Sequence, residues 1–249
     1  MAGPTSTTPT STPGALQRIR FSFETLGVKR AAIELLPKHR VYEADADVSF
    51  DARHGTDTAG KVEPGELGID DGVSRDAAIL NLPSPLGVTN WMLDRAGVEP
   101  TTTTFVDLGC GKGRVLLAAA TRPFKQVVGF EISTALATVA RANAERYQGP
   151  PTLAAPIEVV EADVTRVDLP DGDLLVHLYH PFETPVTEIV LQRLEASLAR
   201  VPRLVTIAYL AYTEAMPRVR ELFARFPWLH EVRYEQSVRG HYNWLLLST

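Results

Sequence analysis

Apolar and polar positions fall into blocks of two kinds along this chain. From Thr103 onward, short runs rich in Val, Leu, Ile and Phe (FVDL, VVGFE, IEVVEAD, DLLVHLY and LVTIAYL) alternate with longer stretches in which apolar residues recur every three or four positions. Continuous apolar runs of strand length predict strands buried on both faces, and the longer period predicts helices over KGRVLLAAAT, over STALATVARANAERY, through Leu198 and through Phe226. Strands and helices alternating in this way form an α/β fold, a mostly parallel sheet with helices on both faces. The last two runs, near Leu229 to Val238 and His241 to Ser248, are joined across Arg239 and Gly240 and predict a C-terminal antiparallel hairpin. No internal repeat is visible.

The first hundred residues read differently. Residues 1–14 are uncharged and almost wholly Thr, Ser, Pro and Gly, which predicts a disordered tail. Leu16, Ile19, Phe23 and Leu26 then recur as one buried helix face would, Gly27 interrupts them, and a second short helix is expected around Ala31 to Leu36. Between Glu43 and Asp71 lie nine acidic residues against Arg53 and Lys61, with glycines at 55, 60, 65 and 68 that argue against a long regular element; the segment reads as a structured loop or lid. Pro83 to Val98 predicts a helix entered after proline, with Val88, Trp91, Met92 and Leu93 facing inward. The chain thus divides into a tail (1–14), N-terminal helices with a lid (15–100) and a sheet core (101–249).

Charge and cysteine usage narrow the function classes. Among 249 residues, 25 Lys plus Arg against 30 Asp plus Glu give a net charge of −5, which argues against a phosphate-backbone binder, so no nucleic-acid partner is expected. The single cysteine, Cys110, can form neither an internal disulfide nor a Cys-rich zinc site, and a reducing, cytoplasmic setting is the default. No apolar run reaches the roughly 18 to 20 residues of a spanning helix, so no membrane partner is expected. Arg18, Arg20, Lys29, Arg30, Lys38 and Arg40 against Glu24 and Glu34 read as a solvated helix face, with docking of an acidic partner as the alternative. Oligomeric state is not readable.

The sharpest local signal is Asp107-Leu108-Gly109-Cys110-Gly111-Lys112-Gly113, set between a strand-type and a helix-type run. Glycines there let the backbone turn tightly and approach a ligand, and the following helix N-terminus offers N–H donors. A phosphate-cradling loop would need Ser or Thr after Lys112, and a dinucleotide loop would need its third glycine at position 114, which is Arg. The spacing is GxGxG. With an acid and one spacer before the first glycine, FVDLGCGKGRVLLAAA resembles the S-adenosylmethionine-dependent methyltransferases of the Rossmann-like class. The resemblance covers about residues 50 to 249 and extends to Glu131, 24 residues after Asp107 at the end of the second strand-like run, and to Asp163, ending IEVVEAD. It implies that Asp107, Gly109, Cys110, Gly111, Gly113, Glu131, Ile132, Asp163 and Val164 bind S-adenosyl-L-methionine. Glu131 would accept from both ribose hydroxyls, Asp163 would face the adenine amino group, and the Val164 N–H a ring nitrogen. Asp107 either touches the methionine portion or holds the loop through backbone N–H groups.

Tyr179-His180-Pro181-Phe182 stands where amino-methylating relatives carry Asn or Asp before Pro-Pro and an aromatic; His180 departs from that pattern. At the C-terminal edge of a parallel sheet, where ligands bind, His180 is the first candidate general base and Tyr179 a companion in contact with substrate. Asp57 and His54 on the lid come second, and Thr58, Tyr209 and Tyr212 are further candidates. His177 and His180 are too differently directed to share a metal ion, and no metal site is expected. Cys110 reads as a small filler between glycines. The expected activity is methyl transfer to an unidentified nucleophile on a small molecule or a protein side chain. The alternative is a cofactor-binding regulatory protein without transfer; the glycine spacing disfavours a nicotinamide oxidoreductase.

Overall fold

The computed structural model describes residues 12–35, 44–69, 72–237 and 242–249. The tail expected over 1–14 falls almost wholly outside the described residues, as do Lys38, Arg40 and the hairpin link at Arg239 and Gly240. Seven strands form one sheet: β1 (Thr104–Leu108), β2 (Gln126–Glu131), β3 (Ile157–Glu161), β4 (Leu174–Tyr179), β5 (Val205–Ala211), β6 (His230–Gln236) and β7 (Asn243–Ser248). Their order is β3-β2-β1-β4-β5-β7-β6, parallel except for β7, which runs antiparallel to both β5 and β6. The strand–helix alternation and the closing hairpin are as the hydrophobic pattern predicts.

The central strands are buried throughout because helices cover both faces. Successive residues of β1 point to opposite sides. Val106 and Leu108 belong to one core with Val176, Leu178 and residues of helices α7 (Thr184–Arg200) and α8 (Met216–Ala224). Phe105 belongs to the core on the other side, with Leu175, Trp244 and residues of helices α4 (Leu86–Leu93) and α5 (Arg114–Ala120). Helix α6 (Thr134–Arg146) begins at Ser133, whose hydroxyl accepts from the Leu136 amide. Val88, Trp91, Met92 and Leu93 are buried on α4, as expected.

Two N-terminal expectations are corrected. Helix α1 (Ala15–Leu35), broken at Gly27 by φ 76° and ψ 165°, does not bury the face of Leu16 and Phe23: Leu16 is 84 % exposed and Phe23 36 %. The buried positions among its described residues are Phe21, Ser22, Thr25 and Ala31. Phe21 meets the Trp91 ring edge-on at 4.9 Å, and the Thr25 hydroxyl donates to the Phe21 carbonyl at 2.7 Å, so a polar side chain enters the interface already satisfied. The approach is close enough that a Cβ on Gly87 would lie 1.7 Å from the Thr25 carbonyl oxygen. In the acidic segment a regular helix does form, α2 (Ala44–His54); its residues contain no glycine, and Gly55, at φ 68°, ends it. Short α3 (Gly72–Asp76) follows.

Candidate active site

The C-terminal ends of β3, β2, β1 and β4 open into a cleft of about 970 Å3, counting its mouth. Phe130, Ile132, Asp163 and Val164 line one end, and Asp107, His177, Tyr179 and Pro181 the other, with Gly109 and Cys110 between them. Of the positions expected from sequence, Asp107, Gly109, Cys110, Glu131, Ile132, Asp163 and Val164 line this one cavity, while Gly111 and Gly113 do not. Among the described residues, no group of three or more His, Cys, Asp or Glu is placed to hold a metal ion. No described helix is long and apolar enough to cross a membrane.

The glycine loop is shaped by contacts within the protein. Gly109 sits at φ 74°, and a Cβ there would come 2.6 Å from the Pro181 Cβ, so only glycine lets the end of β4 close over the loop. The amides of Gly109 and Cys110 both donate to the Phe130 carbonyl, at 2.9 and 3.0 Å, and Gly113 donates to the Cys110 carbonyl. The Gly111 amide donates to Glu131 Oε2 at 2.8 Å, while Ser133 donates to Oε1 at 2.9 Å. Each Glu131 oxygen keeps a second lone pair toward a ligand. Burial pushes the Glu131 carboxyl above the ordinary range, against the pull of these amides. Burial, with the charges of Glu131 and Asp107, pushes the Cys110 thiol well up.

Asp163 takes three bonds on Oδ1, from the Ser74 hydroxyl (2.9 Å) and from the amide and hydroxyl of Thr165 (2.9 and 2.7 Å). Burial opposes its ionisation, but these donors and Arg166 outweigh that and hold its carboxyl below the usual value. Asp107 has a different partner: Oδ1 lies 2.6 Å from Nδ1 of His177. None of the glycine-loop amides described above bonds it, so the loop-holding alternative for Asp107 does not describe its contact.

The lid is tied down. Asp51, on α2, accepts from the hydroxyls of Thr56 and Thr58 and from the amides of Thr58 and Ala59. Lys112 on the glycine loop reaches back to Asp57 Oδ1 (2.9 Å) and the Ala59 carbonyl (2.8 Å), and buried Arg114 donates to the Thr58 hydroxyl. Asn143, buried on α6, joins both sides: its amide donates to the carbonyls of Asp57 and Lys112 and accepts from the Asp57 amide, each at 2.8 Å. Sequence reasoning missed Asn143; the available signal was an Asn in register with the inward Leu136, Ala137 and Ala140. Asp51 and Asp57 are thus engaged within the protein. His54, a second-rank base candidate, is buried against Tyr147, with Nδ1 2.6 Å from the Gln148 carbonyl oxygen, away from the cleft. Backbone pairing of Val62 with Asn81 and of Ala78 with Phe182 carries the chain across the cleft as a roof.

At the end of β4 the structure brings Tyr179 to the cleft wall, its hydroxyl 3.0 Å from that of Tyr212. His180 stands at φ 38°, and its Nδ1 lies 2.8 Å from the buried Tyr209 hydroxyl. His180 is not among the residues lining the cleft. Burial lowers the His180 pKa despite Glu183, and burial raises that of Tyr209.

A sheet of this order, with a GxGxG loop after β1 and acids at the ends of β1, β2 and just beyond β3, is the Rossmann-like class I methyltransferase fold. Residues 105–202 match the family model described as "Methyltransferase domain". A comparison with curated proteins found no match. Among solved structures, the chain is similar to an S-adenosylmethionine-dependent methyltransferase from Aquifex aeolicus (14 % identity, 75 % of this chain and 98 % of that one, TM-score 0.52). Others include a ribosomal protein L11 methylase from Lactobacillus delbrueckii subsp. bulgaricus (16 %, 65 % and 76 %, 0.48). A third is the magnesium protoporphyrin IX methyltransferase of Synechocystis PCC 6803 with bound cofactor (14 %, 96 % and 98 %, 0.46).

Proposed function

We propose that the cleft holds S-adenosyl-L-methionine extended along the carboxyl ends of β3, β2, β1 and β4, and that the chain transfers its methyl group to a nucleophile on a small molecule or a protein side chain. One observation carries this reading: Asp163, Glu131 and Asp107, from neighbouring strand ends, line a single cleft around the glycine loop. Three strand spacings amount to about 14 Å, room for a nucleoside with an amino-acid arm. The residues fit the group. Glu131 has a lone pair on each oxygen beyond its bonds from Gly111 and Ser133 for two ribose hydroxyls, and Asp163 Oδ2 with the Val164 amide suits an adenine edge.

The cofactor supplies a methyl group already activated on sulfonium. The chain's own work is placement and exclusion of water. Asp107 receives the cationic amino-acid end, and the roof formed by residues 62–69 and 72–84, fastened at Asn81 and Ala78, shields the reacting centre. Tyr179 orients the nucleophile at the cleft wall. His180, neutral at pH 7 because burial lowers its pKa, is the group that takes a proton where the acceptor must lose one. Its place outside the lining makes this role conditional on a movement of the β4 end when substrate enters.

The test is transfer of labelled methyl together with mass analysis of nucleoside co-purified with the protein. Calorimetry should show weaker binding of S-adenosylhomocysteine to Asp107→Ala and Glu131→Ala; unchanged affinity in both folded variants refutes the site. For His180→Ala, turnover should fall more than cofactor affinity, and turnover preserved across the pH range removes the base role.

A further inference from the structure

His177 sits on β4 directly beside Asp107 on β1, the two being register partners on adjacent strands, and both side chains are buried, at 1 % and 4 % exposure. With Asp107 Oδ1 accepting at 2.6 Å, the imidazole proton belongs on Nδ1. Nε2 is then a bare acceptor, and it is buried with no partner. Around it stand Phe105, with ring centroids 6.1 Å apart, and Trp244, at 5.6 Å. In such apolar surroundings a leucine or phenylalanine would pack without stranding a polar atom, so the surroundings alone do not account for a histidine. What the histidine adds is a donor for the Asp107 carboxylate.

That carboxylate needs one. The nearby amides of Gly109, Cys110 and Gly111 are committed to Phe130 and Glu131. Asp107 lines the cleft, and among the described residues neither of its oxygens is sealed away without a partner, so the oxygen that His177 leaves free faces the open side.

We infer that His177 is a positioning residue: its Nδ1–H clamps one oxygen of Asp107, so that the other is presented to the cleft as the acceptor for the ammonium group of an amino-acid ligand. The inference rests on the cofactor reading above and assigns within it the determinant of affinity for the amino-acid arm. Adenine and ribose are held by Asp163 and Glu131, two and one strands away, and do not depend on this pair.

The test compares S-adenosylhomocysteine with 5′-methylthioadenosine, which has the same nucleoside and no amino-acid arm, by calorimetry on the full chain. In His177→Leu, affinity for S-adenosylhomocysteine should fall about 10-fold or more, the worth of a charge-assisted hydrogen bond, while methylthioadenosine binding changes less than about 2-fold. In His177→Asn, whose amide donates from nearly the position of Nδ1, affinity should return to within about 3-fold of wild type. Equal loss for both compounds makes His177 a packing residue and overturns the inference, as does unchanged affinity for S-adenosylhomocysteine. Should the leucine variant fail to fold, His177→Gln serves. Its amide lies near the Nε2 position and cannot reach Asp107, so it must show the selective loss that the Asn variant lacks; equal behaviour of Gln and Asn refutes the clamp. Wild-type protein that binds neither compound overturns the cofactor reading itself.

Discussion

Replacing Glu131 with Gln exchanges one carboxylate oxygen for an NH2 group and asks two questions. The carboxylate accepts the Gly111 amide on Oε2 and the Ser133 amide on Oε1, at 2.8 and 2.9 Å. Glutamine offers one oxygen and one NH2, so whichever way it turns, one backbone N–H faces a donor. Leaving such a buried donor unpaired costs about 1–3 kcal/mol. At about 2–4 °C per kcal/mol for a chain of this length, the melting temperature should drop by about 2–12 °C. The same NH2 group can no longer accept from a ribose hydroxyl. Loss of one hydrogen bond to a charged group, about 1.5–3 kcal/mol, weakens S-adenosylhomocysteine binding by about 10- to 150-fold. Thermal unfolding without ligand reads the first effect, and calorimetry well below the melting temperature reads the second. A variant that melts as wild type does refutes the loop-bracing role, and one that binds as tightly refutes the ribose contact, so each claim fails separately.

Gly109→Ala should lower stability by about 2–5 kcal/mol, combining a left-handed backbone at φ 74° with overpacking against Pro181, read as a drop in melting temperature. Asp51→Asn should cost about 1–3 kcal/mol in urea unfolding at pH 7. Burial opposes ionisation of Asp51, but the bonds from Thr56, Thr58 and Ala59 hold its carboxyl below the ordinary 3.8. The wild-type advantage should therefore be full above that value and disappear as pH falls through the lower folded-state value; a gap constant down to pH 2 contradicts this. Phe21→Ala should cost about 3–5 kcal/mol while Phe23→Ala stays within about 0.5 kcal/mol, and the reverse order would restore the helix face that periodicity suggested.

The core strands and the cleft's carboxylates were legible for one reason. A parallel strand covered on both faces must be apolar along its whole length, so an acid closing such a run, as in Asp107, Glu131 and Asp163, stands out against it. Periodicity failed on α1 because Thr25 satisfies its own hydroxyl on the Phe21 carbonyl, which lets a polar face pack while Leu16 stays in water. Helix α2 was hidden by glycines that lie only beyond its end.

Sequence alone thus determined the sheet's elements, the glycine loop, and the three acids with the cofactor class they resemble, because strand burial and loop geometry depend on neighbours along the chain. Tertiary structure decided what those residues touch. Asn143 finds Asp57 and Lys112, Pro181 closes on Gly109, and His177 meets Asp107 70 positions away. Those meetings depend on the register between β1 and β4 and on how α6 sits against the lid, relations set by packing across the whole sheet that no local pattern of residues records.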